Sequence, residues 1–283
     1  MSRPMLSTEL CAVGATYLTP HMRRITFEGP GLADFVSVAP DQQVKLFFAR
    51  NGGALAVPAP SADGDVSRWY RDYLALPESE RPWMRSYTVR HHLADRRQIV
   101  IDFVLHGTES DMGPASRWAA AACTGDVIWM YGPAASRKRA REQAAWRLFV
   151  GDETALPAIG AFLEQLVPGE RAFVCAEVAD AAEEQRWRSA GDVDVRWVHR
   201  GGGPPTNDPA LLHAVRVTRL PGGEGFAWVA GEASLVRAVR RQLVDERGID
   251  KRAVAFTGYW RRHLSQDDAF TTEDIEDRTA ALE

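Results

Sequence analysis

The sequence predicts an antiparallel β-barrel followed by a doubly wound, mostly parallel α/β domain. Three observations carry this. The first half holds short runs of β-forming residues separated by Gly, Pro, Asn and Asp. From about residue 146 onward, apolar strands alternate with helical stretches. The length of 283 residues suits two domains of ordinary size, expected at 1–144 and 145–283.

In the first half, residues 11–13 and 24–27 read as strands flanking the turn residues Thr19 and Pro20. Residues 43–48 alternate and are rich in β formers. Residues 85–90 and 98–105 repeat the pattern, and 126–131 end at Gly132-Pro133. Two helices interrupt the strands. Residues 67–76 form a short amphipathic one, and 114–122 a second with Pro114 in its first turn.

In the second half, strands are expected at 146–150, 171–177, 193–198, 225–230 and 253–259. Helices fall between them at 155–166, 182–189, 209–218 and 233–246. Such alternation implies a parallel sheet covered on both faces. Residues 200–205 form a surface loop. The acidic stretch 267–282 could add a terminal helix capped by Thr271 or Thr272.

Composition narrows the class. Basic residues number 34 and acidic residues 38, a formal charge of −4. That balance gives no drive toward nucleic acid or a stable membrane association. Cys11, Cys123 and Cys175 are odd in number and widely spaced, so neither a disulfide framework nor a zinc site is expected. No apolar signal core follows Met1-Ser2-Arg3-Pro4-Met5, and no apolar run reaches the ~18 residues of a spanning helix. The expectation is a soluble, cytoplasmic protein.

The segment Arg85-Ser86-Tyr87-Thr88 can carry chemistry. On a strand, Arg85 and Tyr87 project to one side and Thr88 to the other. A flavin needs an arginine for its diphosphate, an aromatic face near its rings and short hydrogen-bonding groups at its redox edge. An ordinary strand with a surface arginine and a packed tyrosine accounts for the same four residues. Downstream, Asp102, Val104 and His106 fall on one face of the next strand. Gly113-Pro114 opens a helix whose free N–H groups suit a phosphate, with Ser116 adding a hydroxyl. Here the plain alternative makes His106 a turn residue and Trp118 barrel core.

Together these segments resemble the siderophore-interacting protein family, FAD-dependent ferric-siderophore reductases of the wider ferredoxin reductase superfamily. The matching pieces run in order along the chain. They are Arg-x-Tyr-Thr-Val-Arg at 85–90, Asp-Phe-Val-Leu-His-Gly at 102–107, Gly-Pro-Ala-Ser-x-Trp-Ala at 113–119 and Gly-Asp at 125–126. Gly-Asp-Glu-Thr-Ala-Leu-Pro-Ala-Ile at 151–159, Ala-Gly-Glu at 230–232 and Gly-Tyr-Trp-Arg-Arg at 258–262 complete the set.

The resemblance implies a Greek-key barrel that binds FAD and a doubly wound, NAD(P)H-binding-like domain. Arg85 would contact the FAD diphosphate, Tyr87 the ring or ribityl chain, and Thr88 the reactive edge. Asp102, Val104 and His106 would line the adenine and ribityl side, and Ala115 and Ser116 would hold phosphate. Thr154 would approach flavin and nicotinamide, with Pro157 and its helix facing the nicotinamide cofactor.

There are departures from the family pattern. The loop 107–112 is longer than the family's, His263 replaces a common Gly, and the chain continues for another twenty residues. The second domain also lacks a G-x-G-x-x-G fingerprint.

The implied reaction takes hydride from NADH or NADPH, with reduced ferredoxin as an alternative donor, and reduces siderophore-bound Fe(III) to Fe(II). Open alternatives are a general flavin or ferredoxin-type reductase and a non-enzymatic siderophore-binding protein. A ferric siderophore is bulky, and its catecholate forms are anionic. Trp260, Arg261, Arg262 and Arg237 are therefore the expected substrate contacts, with Arg240 and Arg241 nearby on the helix of Arg237. Solvated surface charge explains the arginines equally well. The run Arg137-Lys138-Arg139-Ala140-Arg141 suits the phosphate of NADPH, or solubility alone. No catalytic acid or base and no protein metal site is assigned. His106 and His263 both stay open as proton donors.

Overall fold

Six strands close into an antiparallel barrel: β1 (Leu6–Thr19), β2 (Met22–Glu28), β3 (Gln43–Phe48), β4 (Trp83–Leu93), β5 (Gln98–Val104) and β6 (Val127–Gly132). The computed structural model describes residues 5–50, 55–60, 66–107, 112–133, 144–201, 209–262 and 264. Arg137 to Arg141, His263, Thr271, Thr272, stretch 267–282 and most of the loops 107–112 and 200–205 lie outside the described residues. The chain divides into two units, Met1–Ser136 and Arg137–Glu283.

The barrel order is β1-β2-β5-β4-β3-β6. Strands β3, β4 and β5 pair in succession, and β6 returns to lie beside β3, which is a Greek key. Alternation decides what is inside. Ile99, Ile101 and Phe103 of β5 join Leu10, Ile25, Phe27, Leu46, Val89 and Met130 in the core, while Asp102 faces outward.

Helix α1 (Val66–Ala75) covers part of the outer wall. Its Trp69 stacks on Tyr131 at 3.9 Å, and Phe47, Tyr73 and Met84 complete the buried cluster. Helix α2 (Pro114–Ala121) packs Ala115 and Ala119 into the barrel core. Arg23 of β2 caps its C-terminal end. The guanidinium donates to the carbonyls of Ala119 (2.7 Å), Ala120 and Ala122 (2.8 Å), which the helix itself leaves unpaired. Arg23→Met is expected to destabilise the first unit by about 1 kcal/mol, read as a lower melting temperature.

The second unit holds a five-stranded sheet. Its strands are β7 (Trp146–Gly151), β8 (Arg171–Val178), β9 (Asp192–His199), β10 (Gly225–Glu232) and β11 (Val254–Trp260). They run parallel in the order β11-β10-β7-β8-β9. Every residue of β7 and β10 is buried, as strands covered on both faces require. Helix α3 (Leu156–Glu164) covers one face, with Phe162 against Phe149 and Trp228. Helices α4 (Pro209–Val217) and α5 (Ala233–Arg241) cover the other through Leu211, Val215, Val236 and Val239. The chain builds outward from β7 to β9, then crosses back to β10. The topological switch point therefore lies between β7 and β10, where ligands of open parallel sheets bind.

Two expected helices differ. Of residues 182–189, only the 3-10 turn Ala181–Glu183 forms. Asp180 caps it through the Ala182 amide at 2.7 Å, and the chain then turns extended at Glu184. The following residues are used sideways, with Trp187 against the Trp197 ring and Glu184 on His199 at 2.8 Å. The helix expected over 233–246 ends at Arg241 and continues as a π-turn, Gln242–Glu246. No described helix is long and apolar enough to cross a membrane.

Candidate functional site

In the first unit the site is built on β4. Its register sets Arg85 opposite Leu46, Tyr87 opposite Val44 and Thr88 opposite Gln43. Trp83 and Tyr87 pack on the barrel core, whereas Met84, on the other face, joins the α1 cluster. Arg85 is half-buried. One guanidinium nitrogen donates to the Met84 carbonyl at 2.7 Å, and the group lies 5.6 Å from the Trp83 ring centre. The Tyr87 ring is 4.5 Å from Phe103. Burial pushes the Tyr87 hydroxyl well above the usual phenol range, opposed by the Arg85 charge. Thr88 is buried.

Several expected contacts are placed differently. Both oxygens of Asp102 accept from Arg24, at 2.6 and 2.7 Å, and Arg90 Nε lies 3.9 Å away. Asp102 thus anchors two arginines on the outer wall. The Ser116 hydroxyl turns inward and donates to the Val104 carbonyl at 3.0 Å, tying the start of α2 to the end of β5. Val104 is buried, and His106, just beyond the strand, is exposed.

The start of α2 fits a phosphate through its backbone. Gly113 is the N-cap with no side-chain cap, and a Cβ built there meets nothing within 4 Å. The first amide to bond back is that of Arg117, to Gly113 at 2.9 Å, which leaves the Ala115 and Ser116 N–H groups at an open helix start. A guanidinium, an aromatic ring, a buried hydroxyl and a helix N-terminus in one unit are the donor set a dinucleotide flavin requires.

In the second unit, the turn after β7 is organised by Asp152, a residue to which sequence reasoning gave no role. Its Oδ1 accepts from the Thr154 amide (2.9 Å) and hydroxyl (2.5 Å). Its Oδ2 accepts from the Glu232 amide (2.9 Å) and Trp260 Nε1 (2.8 Å). Burial raises its pKa, and the hydrogen bonds pull it back. The carboxylate therefore ties the ends of β7, β10 and β11 together. Gly231 at φ +139 leaves room for it, since a Cβ there would lie 2.6 Å from Asp152 Oδ2.

Thr154 and Trp260 are thus held through their polar atoms by Asp152. Arg261 bridges to Leu264, and the Arg262 amide approaches Glu232 at 3.5 Å. Arg237 of α5, with Arg240, Arg241, Asp245 and Lys251, lines a cavity of about 280 Å³.

Sequence reasoning also missed a buried acid cluster. Arg200 holds Glu153 through two bonds (2.6 and 2.8 Å) and Glu177 at 3.4 Å. Burial, with Asp152 and Glu153 nearby, pushes Glu177 up to about 7 despite Arg200. A raised carboxyl stabilises the fold fully below its unfolded pKa and loses that contribution as pH rises through 7. Glu177→Gln is therefore expected to melt above the wild type at pH 8, by on the order of 1–2 kcal/mol, and level with it near pH 4.5. A variant less stable at pH 8 would show that the Arg200 contact outweighs desolvation.

A closed antiparallel barrel followed by a parallel sheet is a fold shared with the ferredoxin reductase of carbazole 1,9a-dioxygenase, at a TM-score of 0.60 and 15% identity over 92% of this chain and 71% of that one. Residues 12–137 match the siderophore-interacting FAD-binding domain, and residues 144–263 match the siderophore-interacting protein model. The chain belongs to the siderophore-interacting protein family.

It is 30% identical to the ferric vibriobactin reductase ViuB of Vibrio cholerae, over 89% of this chain and 88% of that protein. It is 27% identical to the NADPH-dependent ferric-chelate reductase of Escherichia coli, over 89% and 92%. A siderophore utilization protein from T. fusca superposes with a TM-score of 0.81 at 34% identity, covering 94% of this chain and 96% of that one.

Proposed function

We propose that this protein is an FAD-dependent ferric-siderophore reductase that uses NADH or NADPH. The observation that carries this most is the β4 segment, which presents Arg85 and Tyr87 on one face and Thr88 on the other, in the same unit as the uncapped start of α2. The names of the Vibrio and E. coli relatives support the acceptor and the donor respectively.

In this role Arg85 neutralises the FAD diphosphate, helped by the Ala115 and Ser116 amides. Tyr87 supplies an aromatic wall, and Thr88 a hydroxyl at the redox edge. Asp102 acts indirectly by fixing Arg24, and Val104 and His106 border the outer side. In the second unit, Asp152 sets the turn that presents Thr154 toward the nicotinamide donor. Arg261 and Arg262 are assigned to the anionic siderophore, with Trp260 as their support and Arg237 as a further cation.

When bound, FAD would supply the redox chemistry that links a two-electron hydride donor to the one-electron reduction of Fe(III). The siderophore's hard oxygen donors hold Fe(II) far less tightly, so iron is released. The reaction is assigned to the cytoplasm. The purified protein is expected to be yellow and to bleach anaerobically on addition of NADH or NADPH. A colourless protein, or one that neither donor bleaches, would refute the assignment.

A further inference from the structure

Beyond the residues already assigned, the first unit brings two arginines to one tryptophan. Trp83 and Arg85 are two residues apart on β4 and share a face. Arg50 follows β3, whose Phe48 lies opposite Trp83. The Arg50 guanidinium sits 3.5 Å from the Trp83 ring centre, and that of Arg85 lies 5.6 Å from it. Both distances are within reach of a cation–π attraction. Arg50 is further fixed through Nε to the Arg81 carbonyl at 2.6 Å, and its side chain is 13% exposed. Its carboxylate neighbour, Glu78, stands 3.9 Å off and is 81% exposed, so solvent screens that pair.

Two guanidiniums drawn to one ring place two positive charges in one neighbourhood, which favours a dianion over a monoanion. A diphosphate carries two charges and several acceptor oxygens, which matches two pre-ordered planar forks. A monophosphate or an uncharged flavin does not call for both.

We propose that Arg50 and Trp83 complete the diphosphate subsite: Arg50 is the second cation, and Trp83 is a positioning residue that aims both guanidiniums. This rests on Arg85 meeting the FAD diphosphate. Fixing Arg50 by the ring and the Arg81 carbonyl means that little further ordering is needed on binding.

Equilibrium dialysis of the full-length protein against FAD, and separately against riboflavin, tests this. Arg50→Gln is expected to weaken FAD about tenfold and leave riboflavin unchanged, and Arg50→Lys to recover part of the loss. Trp83→Leu should weaken FAD similarly, with Trp83→Phe close to wild type. Wild-type FAD affinity in Arg50→Gln, alongside a large loss in Arg85→Ala, would overturn this proposal alone. Equal losses for FAD and riboflavin would also overturn it, because they report a general disturbance of the barrel. Unchanged FAD affinity in Arg85→Ala would remove the diphosphate assignment on which it stands.

Discussion

Arg85→Ala is expected to purify with little or no bound FAD. A charge-assisted bond to phosphate contributes roughly 1.5–3 kcal/mol, which corresponds to a loss in affinity of roughly 10- to 150-fold. The fold should survive, because Arg85 is half-buried and its side chain is not part of the barrel's apolar core. The flavin-free variant and flavin-free wild type are expected to melt together. Arg85→Lys should fall between them, since lysine keeps the charge but loses the planar fork. Flavin content, read from the absorbance ratio of the purified protein, is the check. Full flavin occupancy in Arg85→Ala would remove Arg85 from the site.

Asp152→Ala is expected to cost the second unit the most stability of any single change considered. Four donors converge on this carboxylate, and it is almost fully buried. Removing it strands the N–H groups of Thr154, Glu232 and Trp260, at roughly 1–3 kcal/mol for each that water does not reach. A loss of roughly 3–5 kcal/mol follows, read by denaturant unfolding. Asp152→Asn, which retains one acceptor oxygen, should lose less. If Asp152→Ala unfolded at the wild-type midpoint, the buried network would contribute nothing net.

These two residues differ in how far the sequence revealed them. The strand placement of Arg85, on one face with Tyr87, was legible from alternation, whereas its flavin role is a proposal that rests on the resemblance of the ordered motifs. The strands were legible for the same reason: residues 43–48 match β3 without change, since alternation and β-branched or aromatic residues dominate there. Asp152 was not legible in its role. Its partners Glu232 and Trp260 lie 80 and 108 positions away, and only the switch point brings them together. The pairing of Asp102 with Arg24 spans 78 positions and was hidden likewise. Ser116 illustrates a subtler limit, because its place at a helix start was readable but its inward rotamer depends on the Val104 carbonyl. Residues 182–189 have helical composition, yet contacts to β9 through Trp187 and Glu184 override it.

The most direct test is an anaerobic one. The purified flavoprotein, reduced with one equivalent of NADH or NADPH, is mixed with a ferric siderophore, catecholate and hydroxamate in separate runs. Return of the oxidised flavin spectrum, with Fe(II) trapped by a chromogenic chelator at two equivalents per flavin, is the predicted result. A reduced flavin that persists with every ferric siderophore, yet reoxidises with a protein or free-flavin acceptor, would contradict it.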